Sequence, residues 1–153
     1  MRNYDGSAVL EAIRLILATH SDSAALTALG GFIEAYGFEK IFLGHLVNPY
    51  SVPLKDILYL SNWPEELKAA REKQAAILHD PVAICAIRSK RPFTWAEARA
   101  HATRSGRRIV DLVHGFGLTH GMMFPMHALD SVSGGVSLGG PLKTDLSPIQ
   151  IRE

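Results

Sequence analysis

Cysteine is nearly missing from this chain of 153 residues: Cys85 stands alone. A single thiol excludes an internal disulfide and any cysteine-rich metal site, and it fits a reducing compartment. An excess of one charge is missing too. Sixteen Lys and Arg oppose fifteen Asp and Glu, for a net charge of +1, which argues against a chain built to coat nucleic acid or an anionic membrane. Long apolar runs are also lacking, because Glu11 and Arg14 interrupt the stretch from Ala8 to Ala18. The N-terminus therefore reads as mature sequence without a signal peptide or membrane span, and the expected location is cytoplasmic. No low-complexity segment or internal repeat stands out. The composition, 47% hydrophobic and 20% charged residues, is the balance of one soluble domain with a real core.

Two amphipathic helices open the pattern, with Val9, Ile13, Ile16 and Leu17, then Ala25, Leu26, Leu29, Phe32, Ile33 and Tyr36 at helical spacing. Ser21 or Ser23 caps the second. Phe38 to Leu46 reads as a strand, Asn48 to Val52 and Pro53 as a loop, and Asp56 to Leu60 as an antiparallel return. Asn62-Trp63-Pro64-Glu65-Glu66 has the look of a helix start, and that helix is expected to run to about Leu78, before Asp80-Pro81 breaks it. A short strand at Phe93-Thr94 precedes one helix carrying Ala98, Ala102, Ile109, Leu112 and Val113 inward and Arg99, Arg104, Arg107 and Arg108 outward. Thr119 to Met126 and Val132 to Leu138 read as a closing hairpin. Helices and strands come in clusters, which favours an α/β (α+β) fold, an antiparallel sheet covered by helices, over a doubly wound parallel sheet. Residues 1–140 are read as the domain and 141–153 as a separate C-terminal segment, joined to it by Gly139-Gly140-Pro141 as linker.

Catalytic patterns find little support. The seven histidines show no paired-ligand spacing, Ser133 and Ser137 lack a nucleophile elbow, and nothing marks a base for Cys85. The glycines from Gly134 to Gly140 have no accompanying Walker lysine, so they read as strand and turn glycines. The expectation is a protein that is not an enzyme and holds no cofactor or metal. Phe42, Tyr59, Trp63, Asp80 and Trp95 fall on segments that would face one another across a sheet and a helix. On the residues alone these are either core aromatics with a capping aspartate or the walls of a small-molecule pocket.

Tyr36-Gly37-Phe38-Glu39-Lys40, Asn62-Trp63-Pro64, Asp80-Pro81-Val82, Pro92-Phe93-Thr94-Trp95 and Phe116-Gly117-Leu118, with Gly121 and Pro125, form an ordered set that resembles the autoinducer-binding domain of LuxR-type quorum-sensing regulators. The resemblance covers roughly residues 8 to 140. It implies an α-β-α sandwich whose five-stranded antiparallel sheet encloses an N-acyl homoserine lactone or a related small signal. It also implies a homodimer that couples ligand to DNA through a C-terminal helix-turn-helix.

On that resemblance Asp80 matches the aspartate that accepts from the ligand amide N–H, Trp95 the tryptophan packed against the lactone head, and Ser137 a hydroxyl position near the ligand carbonyl. Gly121 matches a structural glycine that does not touch ligand. Phe42, Tyr59, Met123 and Gly135 are expected to complete the wall. Three positions depart from the family. Trp63 stands where a tyrosine meets the acyl carbonyl, Leu67 where a tryptophan donates to the lactone carbonyl, and Arg71 where a pocket tyrosine is usual. Loss of one such donor is worth about 1–3 kcal/mol if a ligand carbonyl is left unpaired. A buried arginine needs an anionic partner, so Arg71 either points to solvent or answers a carboxylate or other polar group on a different ligand.

Thr144 to Glu153, with Leu146-Ser147-Pro148, resembles the opening of the family's helix-turn-helix domain. The resemblance implies a chain cut before the DNA-binding part, or a natural short form that traps full-length partners. The competing reading is the same sandwich as a ligand-independent dimerisation module.

Overall fold

The computed structural model describes residues 6–45, 59–74, 76–127 and 133–141. Two helices come first, α1 (Gly6–Leu17) and α2 (Asp22–Glu34). Ser21 caps α2 by accepting from the Ala24 N–H at 3.2 Å. Strands β1 (Lys40–His45) and β2 (Tyr59–Ser61) come next; the loop expected between them, and most of the Asp56 to Leu60 strand, lie outside the described residues. Three helices succeed them, α3 (Glu65–Lys73), α4 (Ala76–His79) and α5 (Pro81–Arg88), then β3 (Phe93–Thr94), α6 (Trp95–Ala100), α7 (Arg104–Gly115), β4 (His120–His127) and β5 (Ser133–Gly140).

The strands form one antiparallel sheet in the order β2-β1-β5-β4-β3. Side chains alternate across a pleated strand, and that period divides the core. Ile41, Met122 and Leu138 point to one face, where they pack with Ile33 and Phe38 and with the partly buried Leu26, Leu29 and Phe32 of α2. Phe42, Met123 and Ser137 occupy the intervening positions, on one cross-strand row that also takes in Phe93. That second face is covered by α3, α5, α6 and α7. The α-β-α sandwich expected from the sequence is therefore the fold.

Four details differ from the sequence reading. The helix expected from Asn62 to Leu78 is two pieces, α3 and α4. Asp80-Pro81 ends α4 but also starts α5, since proline suits the first turn of a helix and the Asp80 side chain caps it. The long arginine-bearing helix is likewise split at Ala102-Thr103, because Thr103 Oγ1 accepts from the Gly106 N–H at 3.1 Å and begins a new helix. Gly139 and Gly140 are not linker residues: they are paired strand positions opposite Gly121 and His120.

Candidate functional site

Trp63, Leu67, Trp95, Val113 and Leu118 form a buried cluster on the second face, with Phe42, Val82 and Leu112 packed against it. Local hydrogen bonding places each aromatic ring. Asn62 extends the β1–β2 pairing with its side chain, accepting from the Ile41 N–H at 2.7 Å and donating to the Glu39 carbonyl at 3.2 Å. Ser61 donates to the Ile41 carbonyl and accepts from the Trp63 backbone N–H, both at 3.0 Å. Trp63 is thereby pinned at the sheet margin, its ring 5.4 Å from Phe42 and 6.3 Å, edge-on, from Trp95.

Trp95 is the first residue of α6, whose start is held by a capping box. Thr94 Oγ1 accepts from the Glu97 N–H at 3.1 Å, and Glu97 accepts from the Thr94 N–H at 2.6 Å. The Thr94 backbone hydrogen bond is the main cause that holds the Glu97 carboxyl below its ordinary pKa. The Trp95 indole lies directly on the sheet. A Cβ at Gly121 would meet its ring at 2.3 Å, and one at Gly139 at 2.4 Å. Glycine is required at both positions by this close approach. The Trp95 N–H donates to Ser137 Oγ at 2.9 Å, between two buried residues.

Arg71 and Asp80 complete the constellation. Asp80 Oδ1 accepts from the backbone N–H groups of Val82 at 2.8 Å and Ala83 at 3.4 Å, which makes this carboxylate the N-cap of α5. Oδ2 accepts from Arg71 Nη2 at 2.6 Å. The Arg71 guanidinium also sits 5.2 Å from the centroid of the Trp63 ring, close enough for a cation–π attraction. A buried arginine does have its anionic partner here, and that partner lies within the chain.

Every polar side chain in the cluster thus has at least one hydrogen-bond partner except one. The indole N–H of Trp63, in a residue only 6% exposed, has no hydrogen-bond partner among the described residues. A buried donor left unpaired costs about 1–3 kcal/mol, so this atom marks where an incoming acceptor would gain most.

The structure brings together Phe42, Trp63, Leu67, Trp95, Ser137, Arg71 and Asp80. Leu67 is wholly buried, at 0% exposure, and serves as apolar wall. Met123 lies on the Ser137 row but packs into a neighbouring cluster with Phe93, Ala86 and Ala98. Gly135 is one pair further along, opposite Gly44, which in turn pairs with Tyr59; the Tyr59 side chain lies outside the described residues. Val82 and Leu118 are wall residues that sequence reasoning missed, although each closes a motif of the resemblance, Asp80-Pro81-Val82 and Phe116-Gly117-Leu118. A surface cleft beside α4 and α7, lined by residues that include His79, Ser105, Arg108 and Asp111, holds none of the expected site residues. Cys85 is half-buried and its thiol is pushed up, chiefly by burial, the reverse of what a reactive thiolate needs. Among the described residues no group of three or more His, Cys, Asp or Glu is placed to hold a metal ion, and no helix is long and apolar enough to cross a membrane.

The profile of the autoinducer binding domain family matches residues 21–152. The transcriptional activator protein BjaR1 of Bradyrhizobium diazoefficiens is 29% identical over 126 residues, covering 81% of this chain and 51% of that protein. The chain therefore spans about half the length of the curated relative it matches. CepR2 of Burkholderia cenocepacia, described as an N-acylhomoserine lactone dependent LuxR family transcription factor, superimposes with a TM-score of 0.73 at 17% identity, over 95% of this chain and 84% of its own. SdiA of Escherichia coli, solved in complex with octanoyl-rac-glycerol, gives a TM-score of 0.72 at 14% identity, over 96% of this chain and 59% of its own. At these identities the superpositions speak for the fold.

Proposed function

The chain belongs to the family of autoinducer-binding domains of LuxR-type transcriptional regulators, and from that premise we propose that it senses a small acyl signal between the sheet and helices α3, α5 and α6. The observation that carries the reading is the unpartnered indole N–H of Trp63, buried beside an ion pair and a second tryptophan on the face of the sheet away from α2. An apolar wall with a few placed polar groups is how proteins hold small ligands. The ligand class is an N-acyl homoserine lactone or a related acyl compound. Phe42, Leu67, Trp95 and Met123 supply the apolar surface, with Tyr59 and Gly135 on the adjoining row of the sheet; Trp63, Arg71, Asp80 and Ser137 are the polar groups that meet the head. The signal is passed on through a homodimer to DNA, by a helix-turn-helix carried on the remainder of a full-length regulator. Such a domain regulates and has no need of catalysis, and it works in the cytoplasm.

One observation favours a second reading, a ligand-independent dimerisation module. The rings of Phe42, Trp63 and Trp95 pack on one another, as they would in a core closed without ligand. Thermal unfolding with and without a panel of acyl homoserine lactones and acylglycerols of different chain length separates the two. At a hundred times its dissociation constant a true ligand adds about 2.7 kcal/mol, a rise of roughly 6–10 °C for a domain of this size. A rise with one compound class supports the sensor; no rise across the panel supports the module.

A further inference from the structure

Resting on the ligand-sensing reading, we infer that the site selects its signal by a hydrogen-bond acceptor on the head group and not by an amide N–H, so that acyl esters bind about as well as the matching amides. The inference comes from which polar groups are already satisfied. A site rejects an analogue lacking a polar group when a buried partner is left unpaired by the loss, and discriminates little when no partner is waiting. Asp80 is the side chain that would read an amide N–H, and it is met from within the chain. Oδ1 accepts from two backbone N–H groups and Oδ2 from a guanidinium at 2.6 Å. A carboxylate offers about four lone-pair sites, so one remains on Oδ2, but leaving it empty isolates no charge.

The unused capacity is of the opposite kind. The Trp63 indole N–H is buried and unpartnered. Ser137 Oγ already accepts from Trp95, which leaves its own proton to donate. Arg71 commits Nη2 to Asp80, and among the described residues its guanidinium has no second polar partner. Three donor groups thus keep unused capacity, against one spare lone pair. The Arg71–Asp80 pair has no net charge, which favours a neutral acceptor such as an ester or lactone carbonyl over a carboxylate. Arg71 is the specificity-determining residue: by occupying Asp80 it removes the demand for an N–H.

The test uses matched pairs in which only the amide N–H differs, N-acyl homoserine lactones and the corresponding α-acyloxy-γ-butyrolactones, at acyl lengths of roughly four, eight and twelve carbons. Calorimetric titration of the chain should give, for the best length, dissociation constants within about threefold of one another. Trp63→Phe should weaken both members equally, about tenfold or more. Arg71→Met, which frees the carboxylate, should restore a preference of about tenfold or more for the amide; Arg71→Gln serves if the first variant is unstable. An ester that binds the unaltered chain about tenfold or more below its amide overturns this inference and leaves the sensor reading standing. Failure of every pair to bind overturns the sensor reading, and this inference with it.

Discussion

The two faces of one sheet differ in what they bury. Toward α2 the sheet presents Ile41, Met122 and Leu138 against Ile33 and Phe38, with the partly buried Phe32 and Tyr36 packed on them. Toward α3, α6 and α7 the same strands, one residue out of phase, present Phe42, Ser137 and the glycines beneath Trp95. Both buried polar side chains among the described residues, Asp80 and Ser137, lie on this second side. The first face can be closed by shape alone, and each fully buried aliphatic side chain adds about 1.5–3 kcal/mol there. The second is held by directional bonds whose loss leaves an orphaned group, so stability there rests on the same atoms that are proposed to meet a ligand.

The comparison can be broken most severely on the aliphatic side. Ile41→Ala, at a position with no exposure, should cost about 3–4 kcal/mol in urea unfolding, within the range for large-to-small core changes. It should leave the relative affinities of amide and ester ligands unaltered. Gly121→Ala attacks the other face by overpacking. The new methyl would lie 2.3 Å from the Trp95 ring and 2.5 Å from the Leu138 carbonyl oxygen, and with a rigid ring on one side and backbone on the other about 3 kcal/mol is expected. Near-ultraviolet circular dichroism should report the displaced indole.

Asp80→Asn keeps a helix cap but strands Arg71. Because both side chains retain slight exposure, the loss should be about 2–3 kcal/mol, below the full value for breaking a buried pair, and Arg71→Met in the same background should recover part of it. Ser137→Ala removes the acceptor of the Trp95 N–H and should cost about 1–2 kcal/mol, with a shift in tryptophan fluorescence that the Ile41 variant does not show.

The smallest expected effect is on acid stability. Burial is the main cause that lowers the His114 pKa in the fold, so the unfolded chain binds the proton more readily. Stability present above the ordinary histidine value near 6.5 is therefore lost as pH falls through it. Glu97, lowered chiefly by the Thr94 backbone hydrogen bond, adds a second loss of the same sign that begins near the ordinary glutamate value of about 4.3 and is completed below it. Melting curves from about pH 7.5 down to about pH 3 should show both steps, and His114→Gln should remove the first.

Much of this architecture was legible because periodicity reports which side is buried. The period of α2, the strand at Ile41 and Phe42, and the closing hairpin all emerge from where apolar residues recur. The ordered motifs carried the family and brought Trp63, Trp95, Asp80 and Ser137 to one place. The helix breaks were less legible, because Asp80-Pro81 and Thr103 are both stops and starts, and a cap reads the same from either side. The Arg71–Asp80 bond was not legible at all. Nine residues apart and separated by the short α4, the two meet because the chain turns between them and brings the last turn of α3 to the N-cap of α5. No local spacing rule encodes such a turn, so a buried arginine could be flagged as needing a partner but not assigned one.

Strand β5 carries a mechanical consequence. Ser137, bonded to Trp95, and Gly139, beneath the same ring, sit on the central strand just before the chain reaches Pro141, whose carbonyl accepts from Thr119 Oγ1 at 2.8 Å. A strand hydrogen-bonded on both sides, to β1 and to β4, is held in register along its length. The floor of the proposed site thus leads within a few residues, along one strand paired on both sides, to Pro141.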